Sequence, residues 1–147
     1  MKSLGTTDEL GTDPESILRV ARSYRLSVRM QEGATVQEIS AALAKKLPVI
    51  LDIQAWPESS SAGVRWDTDW EDGHYVIALG LDGTNLYVED PSLLECRGFI
   101  PLKEFELRWH DYKGDPPYSP SKRSYVRMAM FIEGKERSSP TPLCRVN

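Results

Sequence analysis

Two residues in this chain combine chemically useful types with a usable spacing. His74 follows Gly73 at the start of an apolar run, Tyr75-Val76-Ile77-Ala78-Leu79-Gly80-Leu81. Asp90 ends a second run, Leu86-Tyr87-Val88-Glu89, just before Pro91-Ser92. Asp82-Gly83 between the runs signals a hairpin turn. An imidazole exchanges protons near neutrality, and a carboxylate bonded to it fixes its tautomer and stabilises the imidazolium. Strand register decides whether the two side chains can meet. A two-residue loop at Asp82-Gly83 sets Asp90 opposite Tyr75, pointing away from His74. An odd loop such as Asp82-Gly83-Thr84 sets it opposite Val76, diagonal to His74 on the same face. A His–Asp contact therefore demands an odd loop or a bulge. Without one, His74 is a loop histidine and Asp90 a turn cap.

The other reactive candidates are few. The chain holds two Cys and two His, so a closed Cys/His zinc site would need all four and is nearly ruled out. Cys96 lies between Glu95 and Arg97 with no helix start after it, so it reads as a plain loop thiol. Cys144 sits in a polar tail, and Ser59, Ser60 and Ser61 lack a nucleophile-elbow context. His110 reads as a helix-end histidine and Trp109 as a core residue. Gln54 shares a strand face with Asp52, and there it either bonds a substrate backbone or lies on a solvated edge. Trp56, Trp66 and Trp70 can wall a peptide groove or close a loop over the core. Asp67, Asp69, Glu71 and Asp72 lack EF-hand spacing and read as a solvated acidic loop. No metal or cofactor is expected.

The elements that must position these residues are legible from period and caps. Asp13-Pro14 starts a helix with Ile17, Ala21 and Tyr24 at helical spacing. Thr35-Val36-Gln37-Glu38 is a capping box, followed by the stripe Val36, Ile39, Leu43 and Leu47. Lys45 and Lys46 complement the dipole at that helix's end. After Pro48 the period switches to two, giving a strand over 49–54. Residues 56–73 form a long loop. Strands follow over 75–81 and 86–90, with a short one at Phe99-Ile100. Pro101 opens a third helix carrying Leu102, Phe105 and Trp109, and a last strand covers 125–132. Helices first and an antiparallel sheet after them predict an α+β fold.

The 147 residues suit one domain, expected over 1–132, with a flexible polar tail over 133–147. Charged residues are 27%, and 18 basic against 22 acidic side chains give a net charge of −4. That balance argues against a nucleic-acid partner bound by a broad basic surface. No membrane span or signal-peptide run is present, so the expected location is cytoplasmic.

The run Asp72-Gly73-His74-Tyr75-Val76-Ile77-Ala78-Leu79-Gly80, followed by Leu86-Tyr87-Val88-Glu89-Asp90-Pro91-Ser92, resembles papain-like cysteine peptidases of the bacteriocin-processing, double-glycine leader type. Leu4-Gly5-Thr6-Thr7, Gly11-Thr12-Asp13-Pro14-Glu15, Pro48-Val49-Ile50 and the helix end at Phe105-Glu106-Leu107-Arg108-Trp109-His110-Asp111 agree with it, so the resemblance runs from about Leu4 to Ile132. It implies a papain-like fold, an antiparallel sheet with helices packed at one side. His74 becomes the general base, Asp90 its orienting carboxylate, and Gln54, Trp56 and Trp70 candidates for holding a peptide.

That family's nucleophilic Cys opens an N-terminal helix, with an oxyanion-hole Gln before it; the helix lowers the thiol pKa and the Gln bonds the oxyanion. Met1 falls after the place where both belong. The expectation is a truncated or degenerate peptidase-like domain, inactive as this chain alone, whose exposed apolar surface calls for a homodimer or a partner chain. The alternatives are a non-catalytic peptide-binding module and a small α+β protein of unrelated role.

Overall fold

The computed structural model describes residues 4–7, 11–56 and 65–134. The elements are α1 (Pro14–Ser23), β1 (Ser27–Gln31), α2 (Val36–Ala44), β2 (Val49–Gln54), β3 (Gly73–Leu81), β4 (Asn85–Glu89), β5 (Gly98–Pro101), α3 (Leu102–Arg108), β6 (His110–Tyr112), β7 (Ser124–Val126) and β8 (Ala129–Glu133). Ser59, Ser60, Ser61, Cys144 and nearly all of the expected tail lie outside the described residues.

The helix starts follow their caps. The Asp13 carboxylate accepts from the Glu15 N–H at 3.0 Å, with Pro14 in the first turn. The Thr35 hydroxyl accepts from Glu38 N at 3.2 Å, and the Glu38 carboxylate accepts from Thr35 N at 2.9 Å. Both donors would otherwise be unpaired at the helix end. In α1 the buried side is centred on Leu18 and Ala21, while Tyr24 lies past the last turn and is exposed. Lys45 is the C-cap of α2 and Lys46 turns the chain at φ 59°, so both stand just beyond the final turn.

A six-stranded antiparallel sheet runs β1-β8-β2-β3-β4-β5. Its two faces follow the strand alternation. Val49, Leu51, Ile53, Val76, Ala78, Leu86 and Val88 point to one face, where Ile39 of α2, Phe105 of α3 and Trp109 cover them. On the other face Ile50, Tyr75, Met130 and Met30 pack with Leu18 and Ile17 of α1 and with Tyr125 and Met128. The helices are thus divided between the faces rather than gathered at one side, because α1 reaches the second face with its Leu18 edge.

Three local expectations change. β1 and β6 are strands that no period-two run announced. β1 mixes charged and apolar residues, having only β8 as a neighbour. The single strand expected over 125–132 is two strands, broken at Arg127 with φ 52°. β7 leaves the main sheet to pair with β6, whereas β8 pairs with β1 and β2. His110 accordingly opens β6, since α3 ends at Arg108.

Replacing Thr35 with Ala removes one half of the reciprocal cap. The expected loss is about 1 kcal/mol in urea unfolding, with an unchanged denaturant slope.

Candidate functional site

The hairpin that carries His74 and Asp90 turns at Gly83-Thr84. Asp82 N–H donates to the Asn85 carbonyl, and the Asp82 carboxylate accepts from Thr84 N and Asn85 N at 2.8 Å each. Gly83 takes φ 88°, which the turn needs. Leu81 then faces Leu86, and Gly80 faces Tyr87. Continued without interruption, this register would bring Asp90 opposite Ile77, on the wrong face for His74. A bulge intervenes between Ala78 and Gly80, and beyond it Ala78 faces Val88 and Ile77 faces Glu89. The next position along sets Asp90 against Val76, two residues from His74 on the same face.

The contact forms. His74 Nε2 lies 2.7 Å from Asp90 Oδ1, with the side chains 18% and 7% exposed. Asp90 accepts, so Nε2 carries the proton and Nδ1 keeps its lone pair. Asp90 Oδ1 also accepts from the Ser92 N–H at 2.8 Å, which fixes the carboxylate. Among the described residues the ring has no other hydrogen bond. The arrangement is an oriented base with one basic nitrogen free.

Gln54 closes the other end of this region. It is 0% exposed, on a central strand rather than a solvated edge, with Gly73 as its partner in β3. Its amide nitrogen donates to the His110 carbonyl at 2.9 Å and to Asp111 Oδ1 at 3.3 Å; its amide oxygen accepts from Asp72 N at 2.8 Å. With those bonds made, the side chain holds the segment leading into His74. A Cβ on Gly73 would overlap the Asp111 carboxylate, so that position accepts only glycine without rearrangement.

Arg108 has no motif in the sequence to announce it. Its Nε donates to the Gln54 carbonyl at 2.7 Å, its Nη1 pairs with Glu104 at 2.7 Å, and its guanidinium lies 4.2 Å over the Trp66 ring. The i, i+4 spacing of Glu104 and Arg108 was the available signal. Beside them a cavity of about 270 Å³ is lined by Trp56, Trp66, Asp90, Leu93, Phe99 and Arg108, among others. Trp56 therefore lines the same cavity as the dyad's carboxylate. Trp70 is elsewhere, stacked 4.2 Å from Tyr118 and tilted 4.1 Å from His110. His110 Nε2 donates to the Asp69 carbonyl at 2.6 Å, which is a structural contact. Trp109 is buried and donates to the Met128 carbonyl at 2.8 Å.

Cys96 is exposed. Among the described residues no group of three or more His, Cys, Asp or Glu side chains could hold a metal ion. No helix among them is long and apolar enough to cross a membrane.

On the face opposite His74, Asp52 and Asp111 form a second acidic feature. Burial raises the Asp52 carboxyl well above the usual carboxylate range, and the charge of Asp111 adds to this. Burial also raises Asp111, against the bonds that Tyr112 N–H and other neighbours make to it.

An antiparallel sheet with helices on both faces, presenting a part-buried His–Asp pair at a bulged hairpin, is an α+β arrangement of the papain-like fold. The model of the Peptidase_C39 like family matches residues 3–116, and the chain belongs to that family. In fold it is similar to a crystal structure of a C39-like peptidase candidate from Bacillus anthracis, with a TM-score of 0.58 and 18% identity. The match covers 87% of this chain and 62% of that one, so the chain spans under two thirds of that protein's length. No curated protein matches it.

Two outcomes are expected. Nitrogen-15 NMR of neutral His74 should show the Nε2-protonated tautomer, and Asp90→Asn should reduce that preference. The second concerns pH. A folded carboxyl with a raised pKa binds more protons than its unfolded form, so stability falls as pH rises above the unfolded value of about 4. Asp52→Asn should reduce that fall, leaving the part that Asp111 contributes. The variant should exceed the wild type in urea midpoint at neutral pH and lose its advantage near pH ~4.

Proposed function

We propose that this chain supplies the base and orienting carboxylate of a cysteine-peptidase site of the leader-processing type, and that it does not hydrolyse peptides by itself. The 2.7 Å His74–Asp90 bond carries the reading. Nδ1 of His74 would take the proton of an attacking thiol, and Asp90 would stabilise the resulting imidazolium. Cys96 is exposed and not hydrogen-bonded to His74, which supports a nucleophile contributed from outside the described residues. The one domain proposed over 1–132 would hold peptide along the cavity beside Asp90, with Trp56 as a wall.

A thiol-reactive peptidase probe tests this. The chain alone should stay unlabelled. A form extended by a family nucleophile helix, in cis or added in trans, should be labelled, and His74→Ala should abolish the labelling. Labelling of the chain alone at Cys96, lost in His74→Ala, would overturn the reading.

A second reading, a peptide-binding module, is favoured by the apolar rim of the same cavity, where Phe99 is 64% exposed. Leader-type peptides should quench Trp fluorescence saturably, and Phe99→Ser should weaken binding several-fold. No saturable quenching across a panel of such peptides would sink it.

The second sheet face supports a partner chain or homodimer. Ile50, Tyr75, Ile77, Pro91 and Leu94 line an open cavity of about 470 Å³, and Leu94 is 93% exposed. Light scattering should report a species larger than a monomer; a compact soluble monomer at micromolar concentration would count against that surface being an interface.

A further inference from the structure

The dyad leaves one feature of the opposite face without a role. Asp52 is 1% exposed on the central strand β2; neither of its carboxylate oxygens has a partner in full hydrogen-bond geometry, and the polar groups beside them include the Asp111 carboxyl and the Tyr75 hydroxyl. It opens into a cavity of about 220 Å³ lined also by Thr12, Asp13, Tyr75, Asp111, Tyr112, Lys113 and Tyr125, among others. The cavity is a pit rather than a sealed void. Its floor, Asp52 and Tyr125, is buried, and its rim, Gly5, Gly11, Lys113 and Gly114, is exposed.

The charges do not balance inside it. The rim cation, Lys113, is already paired with Asp13 and lies 3.6 Å from Glu15. The Tyr75 hydroxyl donates to the Thr12 carbonyl at 3.0 Å. Gln54 gives Asp111 a single amide bond at 3.3 Å. Two carboxyls therefore face a common space with no cation directed at them. A buried carboxyl without a partner is costly unless it stays protonated or meets a positive group.

We propose that this pit binds a compact organic cation, a primary ammonium or guanidinium, with Asp52 and Asp111 as its acceptors. The walls suit such a ligand. Tyr75, Tyr112 and Tyr125 offer aromatic surface to the stem and to the charge. The volume of about 220 Å³ is several times a water molecule's share of liquid volume, about 30 Å³. A divalent metal is the poorer occupant, because among the described residues no third carboxylate, His or Cys completes a ligand set. The raised proton affinity of both carboxyls agrees with an empty site that holds a proton and exchanges it for the cation. The ionisable groups facing them are Asp13 and Glu15 at the start of α1, Tyr75 of β3, His110 and Tyr112 of β6, Lys113 just after it, and Tyr125 of β7. The inference does not depend on the role of His74 and Asp90, which occupy the other face.

The test is an NMR titration of the chain with n-butylammonium and methylguanidinium chloride, against sodium and calcium chloride at equal ionic strength. The expected result is saturable shifts of the Tyr75, Tyr112 and Tyr125 ring signals with the organic cations alone. Asp52→Asn and Asp111→Asn should each weaken binding about tenfold or more, with the fold checked by circular dichroism. Calorimetry in two buffers of different ionisation heat should show proton release on binding to the wild type, and less release in Asp52→Asn. Tighter binding of a capped Gly-Lys-Gly peptide than of n-butylammonium would assign the cation to a peptide side chain; equal affinity would assign it to a free amine. Equal shifts from sodium or calcium would overturn the proposal. So would affinities unchanged in a folded Asp52→Asn, or no saturable shift at all, which would leave Asp52 as a protonated acid facing water.

Discussion

The β3–β4 pairing slips by one residue at Leu79, and the candidate site depends on that slip. The Gly83-Thr84 turn alone would place His74 and Asp90 on opposite faces of the sheet. A strand's side chains alternate with period two, so a shift of one residue exchanges its faces. The bulge supplies that shift between turn and dyad, so the hairpin end nearest Asp90 has the other parity. The 2.7 Å contact follows from it. The neighbours follow as well. With His74 on the α2/α3 face, Asp90 shares a cavity with Arg108 and Trp66, while Tyr75 and Asp52 are turned to the opposite face.

Gln54 and Gly73 hold the beginning of β3 in that register. They are paired residues at the edge of the β2–β3 ladder, and the Gln54 amide binds two other segments: Asp72 N–H before β3, and the His110 carbonyl and Asp111 in β6. Its own carbonyl takes the Arg108 bond. Three pieces of chain, at residues 54, 72 and 108–111, are tied together at this one buried residue. Asp111 can approach so closely because Gly73 has no side chain. That closeness brings Asp111 of β6 to Asp52 of β2 on one face of the main sheet, while His74 of β3 and Asp90 after β4 meet on the other.

Much of the frame was legible in the residues. The caps at Asp13 and Thr35, the switch to period two after Pro48 and the strong apolar run after His74 each rest on local geometry, which neighbouring residues settle among themselves. The weak elements were not legible. β1 has one partner strand and a mixed face, and β6 has three residues, so neither leaves a periodic signature. The break at Arg127 was hidden because the residues on both sides are apolar or β-favouring, and only the partners of β7 and β8 differ. Gln54 read as ambiguous for the same reason: its position between β3 and β6 exists only after the sheet has assembled.

The sequence by itself determined which two residues could form a base and its carboxylate, and it stated the condition for their meeting, an odd loop or a bulge. Residue types and the period of a strand suffice for that. It did not decide which side of the condition holds, because a bulge is a matter of cross-strand hydrogen bonding and no residue type demands one at Leu79. The acidic pit was equally out of reach. Asp52 and Asp111 are 59 positions apart in the numbering, and only the packing of β6 against β2 and the burial of both sides made them neighbours sharing one charge problem.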